Sequence, residues 1–121
     1  MGTVNQHKAK AEHNEAFVST FDLSTTPFLD WAVTGIFYAA LHYVRAFAAS
    51  KRITNISSYG EMDKLFDRIA GLKQLYRHYR FLKDESRAAR YEVRAFTRPE
   101  VEEMQRLDLA AIKHYVATNL V

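Results

Sequence analysis

The apolar stretch from Phe28 to Phe47 constrains the fold more than any other part of this 121-residue chain. Only Asp30, His42 and Arg45 interrupt it with a charged or imidazole group. A helix that is apolar on nearly every side is buried by several neighbours, whereas a surface helix has one apolar face. The interruptions are also too frequent for a membrane span. The stretch therefore predicts the central helix of a soluble bundle.

The start of this central helix is marked by Thr26 followed by Pro27, which suit the N-cap and the first helical position. We predict that the helix runs from Pro27 to about Lys51. Before it, a first helix is predicted from Val4 to Thr20. Apolar residues are sparse in this segment, so at least its first half is expected to be solvated or frayed.

Two further helix starts have the capping-box spacing, in which Ser or Thr is followed three residues later by Glu. They are Ser58 with Glu61 and Thr97 with Glu100. Gly71 is expected to break or kink the helix that begins at Ser58. Apolar stripes at helical spacing follow, one to about Val93 (Leu72, Leu75, Tyr76, Tyr79, Leu82, Ser86, Ala89) and one to about Thr118 (Val101, Met104, Leu107, Ala111, Ile112, Tyr115).

The predicted fold is an all-α, antiparallel bundle of four to five helices, because helical segments joined by short connections pack as antiparallel neighbours. Residues 1–121 form one domain, with the first helix at about 1–20, since a chain of this length supports one core. Eight Phe, seven Tyr and one Trp can fill it. The N-terminal segment has no apolar core of signal-peptide length, so we expect a cytoplasmic protein without membrane contact.

Several kinds of chemistry are excluded or disfavoured by composition. The chain has no Cys, so a disulfide framework, a thiol nucleophile and a Cys-based zinc site are impossible. Its four Gly residues form no phosphate-binding loop. The His residues outside the central helix are scattered, without a pair at metal-ligand spacing beside a supporting carboxylate. We expect neither a metal nor another cofactor.

Positive charge is concentrated in one part of the chain. The formal net charge is only +3, but residues 77–98 contain seven basic and three acidic residues. Four arginines recur there at spacings of three and seven, as on one helix face: Arg77, Arg80, Arg87 and Arg94. Such a stripe can bind nucleic-acid phosphates. The alternative is a solvated face on which Asp84 and Glu92 pair with arginines one turn away.

Two segments resemble the HEPN superfamily of small helical-bundle proteins: DWAVTGIFYAALHYV at 30–44 and SRAARY at 86–91. The resemblance spans roughly Glu12 to Val116. It implies a homodimeric bundle of four or five helices, often a metal-independent endoribonuclease of a toxin or defence system. Other members bind nucleotides without cleaving them. The superfamily's catalytic Arg and His are separated by four to six residues, and no Arg and His in this chain have that spacing.

The candidate catalytic residues lie in the two family-like segments: His42, Arg87, Arg90 and Tyr91. Metal-free RNA cleavage requires a base, a cation for the phosphate and an acid, which His and Arg can provide. Asp30 and Tyr38 are candidate supporting residues, because a guanidinium that faces the bundle needs a partner. Tyr43 is a further candidate partner. His42 follows Tyr38 and Trp31 by nearly whole turns and shares their helix face.

Each of these residues also has a structural alternative. His42 can be a core histidine with a backbone or tyrosine partner, and Asp30 can simply stabilise the positive end of its helix. Trp31 and Tyr38 can pack in the core or in a dimer interface. The leading hypothesis is a homodimer that binds RNA or a nucleotide and retains ribonuclease activity with a degenerate motif. The alternatives are a non-catalytic dimeric interaction module and an antitoxin-like regulator with a cognate protein partner.

Overall fold

The computed structural model describes residues 2–120, which form an all-α bundle of five helices without a strand. The predicted fold class is confirmed. The helices are α1 (Val4–Ser19), α2 (Leu29–Ser50), α3 (Tyr59–Arg68), α4 (Tyr76–Tyr91) and α5, which continues through three segments (Arg98–Glu103, Met104–Leu109 and Ala110–Asn119). A short 3₁₀ turn, Lys73–Leu75, leads into α4.

The central helix is α2, which packs against α1, α4 and α5. Fourteen of its 22 residues are buried, so the predicted central helix is confirmed. By length and hydropathy α2 could span a membrane, but 78% of its most apolar window is buried inside the bundle, as in the core helix of a soluble protein. It begins at Leu29, two residues later than predicted, because Thr26 Oγ1 accepts a hydrogen bond from the Phe28 amide and closes a turn that contains Pro27.

The first helix, α1, lies antiparallel to α2. His7, near its start, stacks on His42, while Val18, near its end, lies against Gly35. A Cβ at Gly35 would be 2.7 Å from Val18 Cγ2, so the glycine permits this close approach. The first half of α1 is largely exposed, which agrees with the solvated alternative of the prediction. It is helical from Val4, since Thr3 and the residue at the third helical position form a capping box.

The break predicted at Gly71 is present and has a backbone cause. Gly71 has φ +93°, a conformation that side chains disfavour, and a Cβ there would be 2.1 Å from Tyr115 Oη. The Ser58 hydroxyl caps α3 as predicted by accepting from the Glu61 amide at 3.1 Å. The helix after the break, α4, ends at Tyr91 rather than at about Val93.

The last helix, α5, begins at the predicted capping box but departs from the predicted core stripe. Leu107, expected in the core, is 48% exposed, and Leu109 is buried instead. The reason is the π-helical segment Met104–Leu109, whose wider turn adds one residue between successive inward positions. In a regular α-helix Asp108 would follow Met104 by four residues and face the core. The π segment instead brings Leu109 to this core position.

This register can be tested by comparing two substitutions of leucine in α5. Leu109→Ala should lower the free energy of unfolding by about 2–4 kcal/mol, because it leaves a cavity, whereas Leu107→Ala should cost less than about 1 kcal/mol. Chemical denaturation of the two variants beside the wild type measures both changes. Equal losses, or a larger loss for Leu107→Ala, would contradict the π-helical register.

Candidate functional site along the central helix

One face of α2 is not covered by the other helices. From Trp31 to residue 48, the α2 side chains with appreciable exposure are Trp31, Tyr38, His42 and Arg45, at spacings of seven, four and three. These spacings keep the four residues on one side of the helix. We call this set the open strip. The expectation that Trp31, Tyr38 and His42 share a face agrees with the structure, which adds Arg45 to them.

A recess of about 310 Å³ lies at the beginning of the open strip. Residues from α2 and α4 line it: Asp30, Trp31, Thr34, Ala89, Arg90 and Tyr91. Two large aromatic side chains at this recess are open to solvent, with Trp31 exposed by 52% and Tyr91 by 77%. Asp30 lies in the first turn of α2, where its carboxylate suits the positive helix end, and makes no ion pair within residues 2–120.

Arg90 is the most strongly positioned polar group of the recess. Its Nη1 donates a hydrogen bond of 2.6 Å to Tyr38 Oη. Its guanidinium carbon lies 5.5 Å from the Tyr38 ring centroid and 5.4 Å from that of Tyr91, both within cation–π range. Its Nε is buried and has no partner within the described residues. Tyr38 is thus the partner predicted for this arginine, whereas Tyr43 donates to Glu15 and is not one.

The arginine stripe predicted on α4 is only partly present. Arg77, Arg80 and Arg87 are exposed on the outer side of α4. Arg80 is held by Asp84 and by Tyr76 Oη, each at 3.3 Å, as the solvated-face alternative predicted. Arg87 was expected to face the core beside Arg90, but it points outward and makes no hydrogen bond within residues 2–120. Arg87 and Arg90 are three residues apart, so their side chains leave the helix in directions that differ by about 60°.

Arg94 does not belong to the predicted stripe. Because α4 ends at Tyr91, Arg94 lies in the following connection and pairs with Glu85 and with Glu100, the latter at 3.0 Å. Its guanidinium carbon also lies 4.4 Å from the Phe96 ring centroid. Two carboxylates and a ring therefore occupy the guanidinium and tie the connection between α4 and α5. The prediction that Arg94 lies on the helical stripe is therefore wrong, and its role in binding nucleic acid stays a prediction.

His42 lies at the other end of the open strip, away from the recess. Its Nδ1 is 3.1 Å from His7 Nδ1, and the two rings are stacked. Burial, followed by the positive charges of His7, Arg45 and Lys10, lowers the pKa of His42 to about 4. Burial and Arg45 also lower the pKa of His7. Both imidazoles are therefore neutral at pH 7, and one Nδ1 donates to the other.

A second contact that involves a histidine, the pair of His78 and Asp108, was not predicted from the sequence. His78 Nδ1 lies 2.7 Å from Asp108 Oδ1, and both side chains are largely buried between α4 and α5. The residues are 30 positions apart, so no local spacing could have indicated the pair. It depends on the π segment, which keeps Asp108 at the edge of the core. A carboxylate in this position fixes the orientation of an imidazole.

The open strip places groups that can hold an anion and a base along one side of α2. Arg90 and the exposed aromatic rings can hold a phosphate and a base. The candidate base His42 lies one helical turn beyond Tyr38, the hydrogen-bond partner of Arg90. Within residues 2–120, no group of three His, Asp or Glu residues could hold a metal ion.

Comparisons with known proteins add no assignment: no protein-family model, no curated protein and no solved structure matches this chain.

The difference between Arg90 and Arg87 predicts a difference in stability. Arg90→Lys should lower the free energy of unfolding by about 1–3 kcal/mol, because lysine cannot keep both the Tyr38 hydrogen bond and the planar contact with the rings. Arg87→Lys should leave it nearly unchanged. Thermal and urea unfolding measure both variants, and Tyr38→Phe should reproduce part of the Arg90→Lys loss. Equal stability of the two arginine variants would contradict this assignment.

The His7–His42 pair predicts a pH dependence of stability. In the unfolded chain these imidazoles titrate near 6.5, but in the folded protein their pKa values are lower. The unfolded chain therefore binds more protons between pH 6.5 and about 4, and stability falls as the pH decreases through this window. His42 contributes at most about 3 kcal/mol, and less because it is partly exposed. Urea unfolding at several pH values should show a weaker dependence for His42→Gln, and identical dependences would refute this role.

Proposed function

We propose that the protein is a HEPN-like, cytoplasmic, homodimeric protein that binds RNA or a nucleotide through the recess at the beginning of the open strip. The observation that carries this proposal is Arg90, held by Tyr38 and placed between aromatic rings beside the exposed Trp31. A single-stranded base stacks on aromatic side chains, and a phosphate accepts charge-assisted hydrogen bonds from arginine. The recess offers both within one surface.

Trp31 and Tyr91 serve as the stacking groups in this proposal, and Arg90 and Arg87 serve the phosphates. The hydrogen bond from Arg90 to Tyr38 uses one of the five guanidinium N–H groups of Arg90. The Nη2 atom is not one of the buried atoms that lack a partner. Arg87, exposed on the outer side of α4, adds a positive charge, and no carboxylate of residues 2–120 forms an ion pair with it. Binding of this kind needs no metal and no phosphate-binding loop.

A non-catalytic interaction module is the second candidate, and a specific observation favours it. Large apolar side chains are exposed around the same end of the bundle: Phe28, Trp31, Tyr91 and Val93. Exposed apolar patches of this kind commonly mark protein interfaces. A second copy or a cognate protein that covered this end would bury the aromatic rings and Arg90 together. Both candidates therefore use the same surface and differ in what covers it.

The proposed binding site predicts a graded response to substitution. Trp31→Ala and Tyr91→Ala should each weaken binding of a short single-stranded RNA by roughly 1–3 kcal/mol, since each removes one stacking platform. Phe81→Ala is the matched control, because Phe81 is another exposed aromatic of α4 that lies outside the recess. Arg87→Ala should lower the salt dependence of log K by about one. Fluorescence anisotropy at several salt concentrations measures these changes.

Three outcomes separate the candidates. Loss of RNA affinity in Trp31→Ala but not in Phe81→Ala supports the binding function. No RNA binding, together with a dimer that Trp31→Ala converts to a monomer in light scattering, favours the interaction module. Incubation with total RNA in EDTA beside a His42→Ala variant tests cleavage, and degradation that His42→Ala abolishes would show that the ribonuclease chemistry is retained.

A further inference from the structure

The end of the open strip opposite the recess carries positive charge without a compensating carboxylate. His7 and Lys10 approach from α1, and His42 and Arg45 from α2. Within residues 2–120, no carboxylate forms an ion pair or a hydrogen bond with any of these four side chains. The charges that act on both imidazoles are all positive.

Arg45 makes this arrangement costly for the protein alone. Its Nε is buried and has no hydrogen-bond partner within the described residues. A guanidinium stays protonated, so it cannot escape the cost by losing its charge. A buried charged donor that lacks a partner is destabilising, and an anion that accepts from it would remove that cost. Burial raises the pKa of the Tyr79 phenol of α4, although the positive charge of Arg45 opposes this shift. The phenol is therefore neutral and supplies no negative charge to Arg45.

A small recess beside these side chains indicates where an anion would sit. It has a volume of about 10 Å³ and is lined by His7, Arg45, Ile53, Thr54 and Ile56. This is room for about one water-sized atom. It therefore accepts a single oxygen, and the rest of an oxyanion would lie at its mouth, toward solvent. The lining residues that belong to the connection between α2 and α3 are Ile53, Thr54 and Ile56, which carry no charge that would repel an anion.

We propose that His7 and Arg45, which line this recess, form a binding site for one oxyanion of the phosphate class, with His42 acting through its contact with His7. Arg45 supplies the permanent charge. His7 donates a hydrogen bond to the anion once it separates from His42 or gains a proton. The site lies outside the RNA-binding recess and does not depend on that function. Inorganic phosphate, the phosphate of a nucleotide and a phosphodiester of RNA share the required chemistry.

The site is expected to bind more tightly in mild acid. Without an anion, burial and the positive neighbours keep the imidazoles neutral at pH 7, with the pKa of His42 at about 4. A bound anion stabilises the protonated forms and raises these pKa values. By linkage, affinity increases as the pH falls, by up to roughly tenfold for each pH unit between the raised pKa and the pKa of the free site.

The test is an NMR titration of the full chain, labelled with ¹⁵N-histidine, with sodium sulfate at pH 5.5 and 7.5 at constant ionic strength. Sulfate is used because it keeps its charge over this range, whereas phosphate titrates itself. The resonances of His7 and His42 should shift together and saturate, with a lower Kd at pH 5.5. Arg45→Gln should weaken binding by roughly tenfold or more. Arg68→Gln, which removes an exposed arginine of α3, should change it little.

Two further measurements keep the inference falsifiable. Circular dichroism checks that Arg45→Gln is folded, and His7→Gln tests the same site from α1 if it is not. The proposal is overturned if the His7 and His42 resonances do not respond, or if folded Arg45→Gln and Arg68→Gln bind sulfate equally.

Titrations of the wild type with inorganic phosphate, a nucleoside monophosphate and a short RNA identify the source of the anion, the tightest binder being the physiological class. RNA binding that Trp31→Ala weakens and Arg45→Gln does not would support the recess alone. Failure of RNA binding with intact sulfate binding would leave the oxyanion site standing.

Discussion

The need to cover α2 governs the rest of this structure. A 22-residue helix with 14 buried residues requires neighbours on several sides, and a chain of 121 residues can supply only a few. Helix α1 approaches closely at Gly35, α4 packs its inward side chains against the middle of α2, and α5 contributes its aliphatic residues. From residue 31 to residue 48 these helices cover all of α2 except the open strip, which is formed by Trp31, Tyr38, His42 and Arg45.

The open strip lies at the boundary between the core and solvent, so it suits side chains that have an apolar body and a polar end. Tyr38, His42 and Arg45 each lie with their bodies against the bundle and carry a polar group that can reach its surface. Arg90 completes the pattern from α4, since its stem lies in the bundle and its guanidinium is placed by Tyr38. Because α2 has too few neighbouring helices to cover all of its sides, a row of aromatic and basic groups stays exposed along the open strip. Such a row has the composition of a surface that binds anionic or aromatic ligands.

Much of the fold could be predicted because its signals are local. The all-round apolar helix, the cap at Ser58 and the capping box at Thr97, and the break at Gly71 each depend on a few neighbouring residues. The start of α2 was misplaced because Thr26 caps a turn rather than the helix, and both uses have the same sequence pattern. Arg94 was misplaced for a related reason, since the helical spacing of the arginines continues past the point where α4 ends.

The candidate site was less predictable because its contacts are long-range. The partnership of Arg90 with Tyr38 was anticipated from the family-like segments, but the pairing of His7 with His42 joins residues 35 positions apart. The pair of His78 and Asp108 depends in addition on the π segment of α5, which no periodicity of apolar residues revealed.

The π segment shows how a departure from regular helix can serve the core and a polar pair at once. Regular geometry would place Asp108 at a core position and leave Leu109 at its edge. Burying a carboxylate without a partner costs far more than one irregular turn, so the sequence of α5 is consistent with the wider turn only. The turn brings Leu109 into the core and leaves Asp108 beside His78, where the imidazole satisfies it. The same reasoning applies to Arg45 and Arg90, whose buried Nε atoms have no hydrogen-bond partner within the described residues.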